Sequence, residues 1–151
     1  MTEPPVRLSI EVGEEVRFAK TVAESDVYLF AGISGDFAAN HVNEEYMKSS
    51  RYGRRIAHGA LLVAYMSSTS TMMADRAGAD ITSHTPVSLG YDRIRFLAPV
   101  FIGDTVEVRY RVAEIDLDRL RSRSDIEVRN QRGETVAVAQ HILKWVSADA
   151  E

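Results

Sequence analysis

The chain has 151 residues, of which 45% are hydrophobic and 26% are charged, which is typical of one globular domain with one core. Its formal net charge of −4 argues against a nucleic-acid partner, since such a protein needs a clustered positive surface. The sequence has no cysteine, which excludes disulfides, thiolate nucleophiles and cysteine-ligated metals.

Targeting and membrane signals are absent from the sequence pattern. The N-terminus has no basic segment followed by an apolar stretch, so we expect no signal peptide. The longest apolar-rich run, residues 56–66, is too short to cross a membrane, so no membrane partner is expected. Without repeats or linkers, the sequence predicts one cytoplasmic domain over 1–151, with an ordered core over about 6–147.

The first half of the chain predicts short elements separated by loops. Residues 14–21 alternate and indicate a strand, and polar residues at 24–26 can start a helix that ends at Gly35. A polar loop is expected over 34–43, followed by a short helix over 44–50.

The pattern over residues 59–75 predicts the longest helix, with apolar residues on nearly every face. Such a helix is normally buried, so we expect it at the centre of the fold. Its run of hydroxyl residues, 67–71, has two interpretations: one side chain faces a polar cavity, or they bond back to carbonyls one turn earlier.

The second half alternates with the period of β-strands. Four strands are predicted, over 85–96, 104–115, 120–129 and 134–146. His141 shares a face with Leu143 and Trp145, which indicates a core or interface histidine, whereas His84 is expected in a loop. The order of elements predicts an α+β fold with an antiparallel sheet wrapped round a central buried helix.

Two short motifs are candidates for chemistry. Asp36 and His41 share a polar loop, where a carboxylate and an imidazole can hold a water between them, although hydrogen bonds within the loop explain the same residues. His58 and Gly59 open the long helix, whose free N–H groups can hold a negative oxygen; alternatively, Gly59 only lets the chain turn.

Charged side chains suggest an anion site more readily than a metal site. Arg51, Arg54 and Arg55 lie close together in sequence and can meet a small anionic ligand. No histidine or carboxylate cluster has the spacing of metal ligands, so no metal is expected.

Three segments, residues 30–46, 56–62 and 96–106, together resemble the MaoC-like dehydratase family, which includes (R)-specific enoyl-CoA hydratases with the hot-dog fold. The resemblance covers nearly the whole chain in the expected order. It implies that Asp36 and His41 are the catalytic pair and that the Gly59 N–H holds a thioester carbonyl. It also implies that Ser67 orients the active-site residues.

The chain departs from the family pattern at residues 38–39, where two alanines replace the usual Asn-Pro. Asn40 stands next to His41 and can take over part of the missing hydrogen bonding; with His58 it is expected to contribute to substrate binding. Loss of the proline is expected to loosen the loop, because proline fixes φ.

The implied reaction is syn addition of water to a trans-2-enoyl thioester, or its reverse, giving an (R)-3-hydroxyacyl thioester. No metal or redox cofactor is implied, coenzyme A is the expected carrier, and Arg51, Arg54 or Arg55 are candidates to meet its phosphates. A homodimer or a dimer-based oligomer is expected. Two alternatives remain: a hot-dog acyl-CoA thioesterase and a non-catalytic acyl-thioester-binding domain.

Overall fold

The computed structural model describes residues 8, 10–76 and 84–147 of the chain. In chain order the elements are β1 (Glu15–Thr21), α1 (Glu24–Ser34), α2 (Ala39–Val42), α3 (Glu44–Lys48), α4 (Gly59–Arg76), β2 (His84–Phe96), β3 (Thr105–Asp116), β4 (Arg121–Asn130) and β5 (Thr135–Ser147). The predicted core over 6–147 includes residues 6, 7, 9 and 77–83, which lie outside the described residues.

The strands form one antiparallel sheet in the order β1-β3-β4-β5-β2, and α4 packs against it. The sheet side of the core comes from alternate residues, as on β3, where Val106, Val108 and Tyr110 are fully buried. The predicted α+β arrangement of sheet and central helix is confirmed.

Helix α4 is buried on one side only. Leu62 and Met66 face the core, whereas Ala64 and Ser67 are exposed. The helix is central, as predicted, but its apolar residues are not buried on every face, because the sheet of one chain covers only part of its surface. The hydroxyl run follows the back-bonding interpretation where it is buried, as Ser70 Oγ donates to the Ser67 carbonyl at 2.8 Å.

Local details differ from the sequence predictions at two places. The polar loop contains the short helix α2, in which the His41 N–H donates to the Ala38 carbonyl at 2.9 Å. His84 begins β2 instead of lying in a loop, because it pairs with Ser147 on β5. His141 is a core histidine, as expected, with 0% exposure.

In the part of the chain that the structure describes, the helices are all too short or too polar to cross a membrane.

Candidate active site

The candidate site lies where the loop after α1 meets the start of α4. Gly35 ends α1 in a left-handed conformation (φ 79°), and its N–H donates to the Ala31 carbonyl at 2.8 Å. Beyond it, the Asp36 N–H donates to Ser34 Oγ and the Asp36 carboxylate accepts from the Ala38 N–H, both at 3.2 Å. These bonds present an exposed carboxylate in a turn of defined shape.

Helix α2 carries His41, which is 8% exposed. Its Nδ1 lies 2.8 Å from the Ile56 carbonyl, an atom that can only accept, so Nδ1 carries the proton. In that tautomer the lone pair is on Nε2. His41 can therefore accept a hydrogen bond from a water or another donor at that atom.

His58, the residue before α4, completes the cluster. Its Nε2–H donates to the Asp36 backbone carbonyl at 2.9 Å, and its ring stacks on His41 with centroids 3.8 Å apart and planes at 26°. Ligand atoms of Asp36, His41 and His58 all lie within 4.8 Å of one another. Asp36 and His41 thus lie close together, whereas the sequence contains no signal for the stacking of His58 on His41.

This cluster is poorly arranged for a metal ion. A tetrahedral ion needs lone pairs that converge on one point about 2.0–2.1 Å from each nitrogen. In this cluster His41 Nδ1 and His58 Nε2 are already bonded to backbone carbonyls, and the other nitrogen of His58, Nδ1, is buried. The geometry favours proton chemistry over metal binding.

Gly59 begins α4 beside a cleft of about 440 Å³. A Cβ atom at Gly59 would lie 2.6 Å from the Phe96 ring, so only glycine permits this close approach. The residues that line the cleft include Asn40, His41, Arg51, Gly59 and Phe96. Phe96 is a site residue that sequence reasoning did not single out, because only the tertiary fold brings its ring onto Gly59.

The three arginines have different environments. Arg55 forms ion pairs with Glu24 and with Glu44, the latter at 2.9 Å, and these carboxylates raise the Arg55 pKa. The guanidinium of Arg54 lies over the Phe101 ring at 4.1 Å, and Arg51 donates to the Tyr52 hydroxyl at 3.1 Å.

Among the described residues, only Arg51 and Arg54 of this trio lack a carboxylate partner. Arg51 also lines the cleft. Arg55 instead holds α1 to α3, so its expected role as a phosphate ligand is not supported by its contacts.

Ser67 does not join this cluster. It follows Gly59 by eight residues, about 12 Å along a helix at 1.5 Å per residue, and it lies on the exposed side of α4. The hydroxyl of Tyr91 faces Ser67 and Ser70. Burial raises the Tyr91 pKa, and these two serine hydroxyls oppose that rise. The Tyr91 hydroxyl makes no hydrogen bond of good geometry with either serine. Ser67 is thus close to the Tyr91 region of β2.

A second polar group lies apart from the cleft, in the core. His141 Nε2 is 2.8 Å from Ser88 Oγ, and His141 Nδ1 is 2.9 Å from the Tyr110 hydroxyl. Burial lowers the pKa of His141 to about 4 and raises that of Tyr110 to about 12. Both rings are therefore neutral at physiological pH and act as a hydrogen-bonded core pair.

The wrapped sheet and its central helix define a hot-dog domain, a class shared with a solved hot-dog-like protein. The chain belongs to the MaoC-like family, since the family model described as "MaoC like domain" matches residues 8–136. The resemblance drawn from the three sequence segments is thereby confirmed.

The chain is also similar in sequence to two named bacterial enzymes. The chain is 39% identical over 97 residues to an (R)-specific enoyl-CoA hydratase of Rhodospirillum rubrum, covering 64% of this chain and 62% of that one. It is 36% identical over 114 residues to a 3-hydroxybutyryl-CoA dehydratase of Methylorubrum extorquens, covering 76% and 68%.

A solved (R)-hydratase from Aeromonas caviae, described as involved in PHA biosynthesis, superposes with a TM-score of 0.78 at 25% identity. That match covers 91% of this chain and 98% of the other. By contrast, the matched segment spans less than two thirds of the R. rubrum relative's length.

Proposed function

We propose that the protein is an (R)-specific hydratase/dehydratase of enoyl and 3-hydroxyacyl thioesters. The observation that carries this proposal is the placement of the Asp36 carboxylate and the His41 imidazole within 4.8 Å of each other, next to the start of α4. The names of the relatives from R. rubrum and M. extorquens support the same reaction.

The proposed hydration assigns a role to each group of the site. A water donates to His41 Nε2 and to the Asp36 carboxylate, which takes a proton as the water oxygen attacks C3 of the enoyl thioester. The Gly59 N–H and the positive end of the α4 dipole stabilise negative charge on the thioester carbonyl oxygen. The pair then returns the proton to C2 on the same face, which gives the (R)-3-hydroxyacyl thioester; dehydration is the reverse.

Coenzyme A is the proposed carrier. Arg51 lines the cleft and Arg54 stacks on Phe101, so both guanidiniums are available to phosphate oxygens. The reaction needs only proton transfer and carbonyl polarisation, and we propose that it proceeds without a metal or redox cofactor.

We also propose a homodimer in the cytoplasm. β2 is an edge strand of the sheet, and its outer side has no strand partner within the described ranges. Leu89 and Phe96 on this strand, and Leu97 just after it, are 48–57% exposed, which favours burial against a second copy. The absence of cysteine suits a reducing compartment.

The test is hydration of crotonyl-CoA, followed by loss of enoyl absorbance with free thiol assayed in parallel. We expect hydration without thiol release. Asp36→Asn and His41→Ala should each lower kcat by about 100- to 10,000-fold, since general acid–base catalysis contributes on that order.

Two results would contradict the proposal. Thiol release without hydration would instead indicate a thioesterase. Binding of acyl-CoA without turnover in the unsubstituted protein would indicate a binding domain. Normal thermal unfolding of both variants is the control for misfolding.

A further inference from the structure

His58 contacts both members of the proposed catalytic pair. Its Nε2–H donates to the Asp36 carbonyl at 2.9 Å, and its ring lies 3.8 Å from that of His41. Phe30 packs on the same ring at 4.8 Å, and the His58 side chain is 1% exposed. The ring is therefore held in place by the core while it contacts two residues of the cleft.

His58 is not presented to a ligand in the cleft. Its Nδ1 is buried and has no hydrogen-bond partner among the described atoms. Among the described residues, Gly59 lines the cleft but its neighbour His58 does not. The substrate-binding role expected from the sequence therefore does not match the position of this side chain.

The loop between Asp36 and His41 needs support from outside itself. Residues 38–39 are both alanine, so they contribute no side-chain hydrogen bond, and α2 begins without a side-chain cap. Within the loop, the Asp36 carboxylate accepts only a long bond, 3.2 Å, from the Ala38 N–H. His58 contacts the loop at both ends, through the Asp36 backbone and through the His41 ring.

We propose that His58 is the positioning residue of the active site: its Nε2–H fixes the Asp36 backbone, and its ring face fixes the His41 imidazole. The inference rests on the proposed hydratase function and adds a residue that acts through the catalytic pair without touching substrate. It also explains how the pair stays aligned in a loop that lacks the proline of the family pattern.

Two substitutions separate the two contacts. In His58→Gln, the side-chain amide reaches about as far as Nε2, so the bond to the Asp36 carbonyl is kept while the stacked ring is lost. In His58→Phe, the ring is kept and the donor is lost.

We expect His58→Phe to lower kcat for crotonyl-CoA about 100-fold, the loss typical of a displacement of about 1 Å, with KM within about twofold. His58→Gln should lower kcat by less than about tenfold. A rise in KM at unchanged kcat would overturn the inference, because it would indicate a substrate contact. The inference would also be overturned if the loss of kcat in each variant simply matched its loss of thermal stability.

Nuclear magnetic resonance gives a readout that does not depend on turnover. In the unsubstituted protein, nitrogen shifts should show His58 protonated at Nε2 and His41 protonated at Nδ1. The carbonyl carbon of Asp36 should shift in His58→Phe and stay nearly unchanged in His58→Gln. If the unsubstituted protein hydrates nothing, the proposed function fails, and this measurement still decides the role of His58: an unmoved Asp36 carbonyl in His58→Phe overturns it.

Discussion

His141 differs from the two histidines of the candidate site because both of its ring nitrogens lie near hydroxyl groups. Desolvation disfavours its charged form and lowers its pKa to about 4, from an ordinary value of 6.5. His41 and His58, in contrast, have one ring nitrogen each bonded to a backbone carbonyl. Three histidines of one chain thus have different roles because their hydrogen-bond partners differ.

This burial predicts a pH dependence of stability. Because the folded pKa of His141 is below the unfolded one, the unfolded chain binds more protons between about pH 6.5 and 4. The free energy of unfolding should therefore fall as pH drops through that window, by about 3 kcal/mol from this residue. Urea unfolding at a series of pH values measures it. His141→Gln should be less stable at neutral pH, and an unchanged pH slope in that variant would contradict the assignment.

At the scale of elements, α2 is the weakest point of the site. It has four residues, and its N-cap Ala38 provides no side-chain hydrogen bond. Ala38 has φ −57° and ψ 140°, which suits a residue that precedes proline, and Ala39 is the first helical residue, where proline is favoured. The backbone therefore keeps the shape that the Asn-Pro of the family would give it.

Ala39→Pro should consequently stabilise the protein by about 0.4–1 kcal/mol, because proline restricts the unfolded chain without straining the folded one. Chemical unfolding measures the change, and crotonyl-CoA hydration should be retained. Ala39→Gly is the matched control. It increases the conformational entropy of the unfolded chain and should therefore lower the free energy of unfolding. Destabilisation by the proline would show that residue 39 does not have the φ of a first helical residue.

The strands were the most predictable elements, because period-2 alternation is local and each of the five predicted strands lies within about one residue of the observed one. The four-residue helix α2 was not predicted, since it has neither a capping side chain nor a hydrophobic period. The proposed catalytic pair followed from the resemblance to the family motif, but the stacking of His58 on His41 could not be predicted, because it depends on tertiary packing. The ion pairs of Arg55 could not be predicted for the same reason, since its partner Glu24 lies 31 residues away.

At the scale of the whole molecule, the described part of the chain leaves some of its surfaces incompletely covered. Helix α4 is exposed at Ala64 and Ser67, and within the described residues the outer side of β2 pairs with no strand. Both are consistent with the proposed homodimer, in which a second copy covers what the first cannot.

Leu89→Glu should therefore shift the protein from dimer to monomer, since the charge would lie on an edge that pairs with another copy. Sedimentation equilibrium measures the change. Leu117→Glu is the matched control, because Leu117 is 55% exposed but lies off β2, between β3 and β4. Equal effects of the two substitutions, or a monomeric parent protein, would contradict the proposed interface.

The irregular shape of β2 has a further consequence. Its pairing with β5 shifts between Ser88 and Gly90 and again between Asp92 and Arg95, and Arg93 has a left-handed backbone with φ 53°. Such bulges bend and twist a strand, so it cannot template the flat, endlessly repeated stacking of amyloid. A thirteen-residue open edge would otherwise be an aggregation hazard; here its irregularity restricts self-association to a partner of matching curvature.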